Sequence, residues 1–84
     1  MDEVEVFKAL GDPTRLKILE LVKNEEKCIC DIIPKTGKSQ PNVSQHIKVL
    51  RIAGLINERK DGTRILIDSS HKQIYDIINT VREM

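Results

Sequence analysis

Ser39-Gln40-Pro41-Asn42-Val43-Ser44-Gln45-His46-Ile47-Lys48-Val49-Leu50-Arg51-Ile52-Ala53-Gly54 is the segment on which the fold turns. Ser39 is a side-chain N-cap, and Pro41 sits in the first helical turn, where its missing N–H costs nothing. Val43, Ile47 and Leu50 recur at i, i+4 and i+7, the narrow apolar rib of a helix buried on one side. At about 100° per residue, Gln45 and Lys48 fall on the opposite side, with Asn42 and Ser44 on its flanks. Gly54 closes the helix as a left-handed cap. Residues 55–60 and 63–68 follow as two strand-like runs separated by Asp61-Gly62, a strong short hairpin signal.

Upstream, Val4, Phe7 and Leu10 predict a short first helix ending at Gly11. Asp12-Pro13 is an N-cap with proline at the first helical position. Leu16, Leu19 and Val22, flanked by Ile18 and Leu21, form a wide apolar stripe running to about Asn24, the mark of a central helix. A third, short helix is expected over residues 28–35, with Ile29, Ile32 and Ile33 apolar, until Gly37 interrupts it. Downstream, Asp68 to Ser70 are expected to cap a last helix carrying Ile74, Ile77, Ile78 and Val81 as a stripe.

The element order is thus α-α-α-α-β-β-α, mainly helical with one small β-hairpin. Two helices joined by a tight glycine-containing link, followed at once by a hairpin, describe a winged helix-turn-helix. The 84 residues form a single domain, 1–84. A chain this short buries only about 60% of the surface it exposes when unfolded, so a second copy is the simplest way to enlarge the core. The last-helix stripe (Ile74, Ile77, Ile78, Val81) and the first helix (Val4, Phe7, Leu10) are the faces expected to meet in a homodimer.

Composition narrows the function. A charged fraction of 32% and no apolar run near the roughly 20 residues of a spanning helix exclude a membrane protein. The acidic opening Met1-Asp2-Glu3 is unlike a secretory leader, which points to the cytoplasm. Net charge is only +1, yet residues 35–64 hold seven Lys/Arg against Glu58 and Asp61, and the rest of the chain is acidic in balance. One basic third of a near-neutral chain is a cationic face able to neutralise phosphates. With Phe7 and Tyr75 the only aromatics, stacking platforms for RNA or single strands are lacking, and duplex DNA remains.

In a winged helix the fourth helix enters the major groove, N-terminal end first, and the hairpin lies along the backbone or minor groove. Gln40, Asn42 and Gln45 can pair with adenine, and Ser44 with either kind of base edge. His46 and Lys48 reach guanine or phosphate, and His46, nearer the apolar face, equally suits a packing role. Lys38 and Ser39 open the same helix, and Arg59, Lys60 and Arg64 on the hairpin suit phosphate contacts that position without specifying sequence. A homodimer would present two reading helices about 34–36 Å apart, fitting a palindromic operator.

These residues resemble a known family, the ArsR-type metalloregulators. Phe7-Lys8-Ala9-Leu10-Gly11-Asp12-Pro13-Thr14-Arg15-Leu16-Lys17-Ile18-Leu19 is similar to their opening signature, and Cys28-Ile29-Cys30-Asp31-Ile32 to their cysteine motif. Residues 39–51, followed by Ala53-Gly54-Leu55-Ile56, resemble their recognition helix and the strand after it. The resemblance implies a homodimeric winged-helix repressor that leaves its operator when an inducer binds. In that family the cysteine pair binds soft ions, and arsenical sensors add a third cysteine three residues later, where this chain has Ile33. Two sulfurs complete neither a tetrahedral site nor the three-thiolate pyramid of As(III), so solvent or a partner subunit must contribute. The family's second metal site is read as absent. Asp68 matches its first position, Ser70 stands where a histidine is needed, His71 is one residue out of step, and Val81 and Met84 fill the later positions.

Three readings of Cys28 and Cys30 stay open: a soft-ion site for As(III) or Cd(II), a thiol-redox switch, or small buried hydrophobes. No other cofactor is required. A Cys28–Cys30 disulfide is not expected, because so short a loop strains its geometry. An enzyme is not expected either: no βαβ pattern surrounds Cys28, and no Ser-His-Asp set, phosphate loop or catalytic carboxylate pair is present. A winged helix used for protein contacts would show an apolar outer face on the fourth helix, against which Gln45 and Lys48 speak, although Ile52 lies on that side.

Overall fold

Two aspartates start the first two helices in the computed structural model, which describes residues 1–84. Asp2 Oδ1 accepts the N–H groups of Val4 and Glu5 at 2.9 and 3.3 Å and opens α1, Glu3–Leu10. Asp12 Oδ2 accepts those of Thr14 and Arg15 at 2.9 and 3.0 Å and opens α2, Pro13–Leu21. Each carboxylate satisfies donors that have no partner inside their own helix. The stripe on α2 ends at Val22, earlier than Asn24, because residues 23–25 bend away.

A two-residue strand, β1 (Lys27–Cys28), precedes α3 (Ile29–Thr36). It was not legible in the sequence, since two residues carry no alternation. Cys28 is therefore the last residue of a strand and the N-cap of α3 rather than its first helical residue. Gly37, at φ 70°, ends α3 in the left-handed region as its position required.

Helix α4 covers Gln40–Ile52, and its end is a full Schellman arrangement. The N–H of Leu55 donates to the carbonyl of Leu50 (3.0 Å) and that of Gly54 to Arg51 (2.9 Å), with Gly54 at φ 82°. Strands β2 (Ile56–Asp61) and β3 (Arg64–Ser69) then pair antiparallel, with Asp61 opposite Arg64. The two-residue turn is thus Gly62-Thr63, not Asp61-Gly62. Within this turn only Gly62, its first position, has a positive φ (65°), and Asp61 stays in the ladder. Strand order is β1-β3-β2, and the hairpin has become the larger part of a three-stranded sheet.

Helix α5 covers Gln73–Arg82, and its start differs from expectation. Asp68 and Ser69 belong to β3, and Ser70 Oγ donates to the carbonyl of Gly54 at 2.5 Å, so none of the three caps the helix. Lys72 occupies the N-cap without a side-chain bond. Ser70 instead fastens the sheet exit to the end of α4.

One apolar cluster draws on every helix: Ala9, Ile18, Leu19, Ile32, Val43, Ile47, Leu50, Ile74, Tyr75 and Ile78 are all buried in it, with Ile56 and Ile67 from the sheet. Tyr75 Oη donates to the carbonyl of Leu19 at 2.7 Å, and burial pushes its phenol above its ordinary pKa. The rib of α4 is buried as its spacing demanded. The stripe of α5 is divided, because Ile74 and Ile78 turn into this core and only Ile77 and Val81 face outward.

Candidate DNA-reading face and cysteine pair

With Val43, Ile47 and Leu50 turned inward, Gln40, Asn42, Ser44, Gln45 and Lys48 all stand exposed on α4. Ser39 Oγ caps the helix by accepting the N–H of Asn42 at 3.3 Å, and Lys38 lies exposed just before it. The outer surface of this helix is therefore polar and open to solvent, apart from Ile52, which is 67% exposed at its far end.

His46 is placed differently from its neighbours. Its Nδ1 lies 3.1 Å from Nη1 of Arg15 and 3.8 Å from Oδ2 of Asp12, and its side chain is only 18% exposed. Arg15 also donates from Nε to the carbonyl of Ala9 (2.7 Å) and from Nη2 to that of Lys8 (3.0 Å). A guanidinium has no acceptor, so Nδ1 of His46 accepts and its lone pair is spent inside the protein. The geometry gives His46 the packing role. Burial of Asp12 opposes its charge, but the N–H of Arg15, the charge of His46 in its protonated form, the charge of Arg15 and the N–H of Thr14 together hold its carboxyl below the ordinary value. Arg15 went unremarked in the sequence; its position just after the Asp12 cap was the available signal.

The basic third is less free than its charge count implied. Arg59 forms a two-pronged pair with Glu26, Nε to Oε2 at 2.8 Å and Nη2 to Oε1 at 2.7 Å. The hydrogen bond from Arg59 is the main cause that lowers the Glu26 carboxyl pKa, and the same bond raises that of Arg59. Arg51 meets Glu58 at 3.2 Å, and Arg64 meets Asp31 at 3.9 Å. Lys38, Lys48 and Lys60 have no such partner and are exposed. The acids that meet Arg59 and Arg64, Glu26 and Asp31, lie outside the basic segment, which is why counting charges along the chain missed those two pairs.

Cys28 and Cys30 are joined in a disulfide, contrary to the sequence expectation. Cys28 is extended as an N-cap while Cys30 lies in the first helical turn, so the chain bends between them. Their Cα atoms stand 5.1 Å apart, within the ordinary span of a bridge. Cys28 is 3% exposed, and its Sγ accepts the N–H of Cys30 at 3.1 Å, whereas Cys30 is exposed. No group of three or more His, Cys, Asp or Glu side chains is placed to hold a metal ion, so this chain alone offers a soft ion two sulfurs and no third donor. His71 Nδ1 lies 3.0 Å from Ser70 Oγ and 3.2 Å from the carbonyl of Gly54, away from Asp68 in the sheet.

A groove of about 550 Å³ runs beside the disulfide. Cys28, Ile29, Cys30, Ile33 and Pro34 line one wall, Gln40 and Ser44 of α4 another, and Thr63, Arg64 and Ile65 of the wing the third. On the opposite flank, α1 and α5 enclose an apolar groove of about 200 Å³ lined by Phe7, Leu10, Leu16, Ile77, Ile78 and Val81. Phe7 and Val81 there are 60% and 61% exposed, and Val4, on α1 outside the groove, is 56% exposed. No helix is long and apolar enough to cross a membrane.

Residues 12–58 match the family described as bacterial regulatory protein, arsR family. The chain is 42% identical over 79 residues to an uncharacterized HTH-type transcriptional regulator of Methanocaldococcus jannaschii, covering 89% of each chain. It is 38% identical over 81 residues to an arsenical resistance operon repressor of Staphylococcus xylosus, covering 89% of this chain and 78% of that one. It also superposes on the homodimeric winged helix-turn-helix DNA-binding domain of a possible ArsR-family regulator from Mycobacterium bovis. The TM-score there is 0.86 at 26% identity, covering 95% of this chain and 77% of that one.

Proposed function

The chain belongs to the arsR family of bacterial regulatory proteins, as a winged-helix DNA-binding repressor and not an enzyme, and from that premise we propose how it reads and leaves DNA. Two copies join through the α1–α5 groove, with residues 1–84 acting as one reading unit in each. A palindromic duplex then meets one α4 helix in each of two successive major grooves. Gln40, Asn42, Ser44 and Gln45 face base edges, Lys38, Ser39 and Lys48 the phosphates beside them, and Lys60, Arg64 and Arg59 the backbone along the wing.

The observation that carries this reading is the polar outer surface of α4 raised on a fully buried rib. Selection from a random duplex pool, followed by titration, tests it. Gln45→Ala should cost about 1–3 kcal/mol on the selected sequence and little on random DNA. Equal losses on both would remove α4 from the major groove.

Release is driven from Cys28 and Cys30. When the pair is reduced, its two sulfurs suit a soft ion such as As(III) or Cd(II), with a further donor from solvent or the second copy. The relative from Staphylococcus xylosus, described as an arsenical resistance operon repressor, supports that effector class. The disulfide favours a second reading, in which closing and opening of the pair is itself the signal. Titrating the DNA complex with As(III), Cd(II) and peroxide separates the two. Cys28→Ser/Cys30→Ser should bind DNA as the parent does and respond to none of them. Continued release from that variant would move the sensor elsewhere.

A further inference from the structure

We propose that Cys30 exchanges with small disulfides bearing carboxylates, that Cys28 is the resolving sulfur, and that the groove between α4 and the wing receives the attached group. The inference rests on the redox reading above and names its substrate class and its two sulfur roles.

The roles follow from access. Thiol–disulfide exchange needs an attacking sulfur and its target in line, so an exposed sulfur meets an incoming molecule and a buried one does not. Both cysteines border the groove, but Cys30 is exposed there, while Cys28, at the end of β1, is only 3% exposed. Cys28 nevertheless lies in bonding range of Cys30, as their disulfide shows. The groove also selects charge. Its walls are apolar at Ile29, Ile33, Pro34 and Ile65, and its one charged lining residue is Arg64, whose pairing to Asp31 is long at 3.9 Å. An exposed guanidinium held that loosely is ready for a carboxylate.

The chemistry balances in two steps. The Cys30 thiolate attacks one sulfur of RS–SR, the new Sγ–SR bond forms as the RS–SR bond breaks, and RS⁻ leaves to take a proton from water. The Cys28 thiolate then attacks Sγ of Cys30, forms the Cys28–Cys30 bond and expels a second RS⁻. The dithiol loses two electrons, and the small disulfide is reduced to two thiols. While attached, the group lies against Gln40, Ser44 and Arg64, the side chains offered to DNA. Thiolation and DNA binding therefore exclude one another directly.

The test uses 3,3′-dithiodipropionate as the anionic probe and cystamine as its cationic counterpart, with intact mass as the readout. In Cys28→Ser the resolving step is removed, and serine, a favoured N-cap, keeps α3 started. This variant should gain one mercaptopropionate group at least about tenfold faster than Cys30→Ser, the penalty for a sulfur without access. Arg64→Gln in that background should slow the anionic probe about threefold, the size of one exposed charge pair, and should not slow cystamine. Saturating duplex should protect Cys30. In the reduced parent, thiol counting should show closure at the rate of the first step, which checks the roles without any substitution. Equal labelling of the two variants, no charge preference or no protection by DNA would each overturn the proposal. Release of DNA by peroxide without exchange would overturn it while leaving the redox reading standing; release by neither would end both.

Discussion

Removing Arg59 and removing its partner Glu26 should have opposite effects on DNA affinity, and the pair together tests how the wing is used. In the free protein the Arg59 guanidinium is held by Glu26 through Nε and Nη2, at 2.8 and 2.7 Å, which leaves its Nη1 for another acceptor. A phosphate that approaches it competes with the Glu26 carboxylate. Each phosphate contact contributes about 0.9 to the slope of log K against log salt. Two subunits should therefore lose about 1.8 from that slope in Arg59→Ala. Over a fourfold rise in salt this makes the variant about twelvefold less salt-sensitive than the parent. Glu26→Gln removes the competing carboxylate and should tighten binding a few-fold per subunit, the usual scale of an exposed pair, while leaving the slope unchanged. Fluorescence anisotropy titrations at several salt concentrations read both quantities. The decisive comparison is the double variant, in which Glu26→Gln should have no effect once Arg59 is gone. If it tightened binding equally in both backgrounds, the effect would be loss of a negative charge in general and the pairing argument would fail. An unchanged slope in Arg59→Ala would make that residue a strut to the α2–β1 loop and not a backbone contact.

Asp12→Ala should lower unfolding free energy by about 1 kcal/mol, the loss of an N-cap, measured by denaturant titration. Because the folded pKa of Asp12 lies below its ordinary 3.8, its charge-dependent stabilisation is complete above that value. It disappears as pH falls through the lower folded value, so Asp12→Asn and the parent should converge in acid. Tyr75→Phe removes the bond to the carbonyl of Leu19 and should cost about 1 kcal/mol without changing DNA affinity. Phe7→Glu, placing a charge in the α1–α5 groove, should sediment as a monomer at micromolar concentration; a persistent dimer would put the interface on another face.

The fold was legible where one residue type has one local job. Asp12, Ser39, Gly37 and Gly54 each fix a helix end through a side-chain bond or a positive φ, and those ends fall where the sequence placed them. What was missed depends on partners far along the chain. β1 exists because β3 has a second edge to fill, and nothing in Lys27-Cys28 announces it. Ser70 resembles a cap, but α5 begins two residues too late for it, and its hydroxyl donates to the carbonyl of Gly54, sixteen residues earlier. Ile74, Ile77, Ile78 and Val81 share one stripe in sequence, but a helix this close to the core buries Ile74 and Ile78 on one edge and leaves Ile77 and Val81 outside.

The same distinction separates the two halves of the candidate site. Gln40, Asn42, Ser44, Gln45 and Lys48 are exposed because Val43, Ile47 and Leu50 are not, and one helix period decides both sets. The cations obey no such rule, since Glu26, Asp31 and Glu58 come from three different elements to meet Arg59, Arg64 and Arg51. His46 shows the consequence most sharply. Helical geometry sets it at the edge of the reading surface, and Arg15, thirty-one residues earlier, turns it inward. Through that contact α4 is tied to the last carbonyls of α1, the helix bearing Val4 and Phe7 on the proposed subunit face. The cysteine pair adjoins α4 from the other side, across the groove shared with the wing. The reading helix thus meets the His46–Arg15 link on one flank and, on the other, the groove that it shares with Cys30 and the wing.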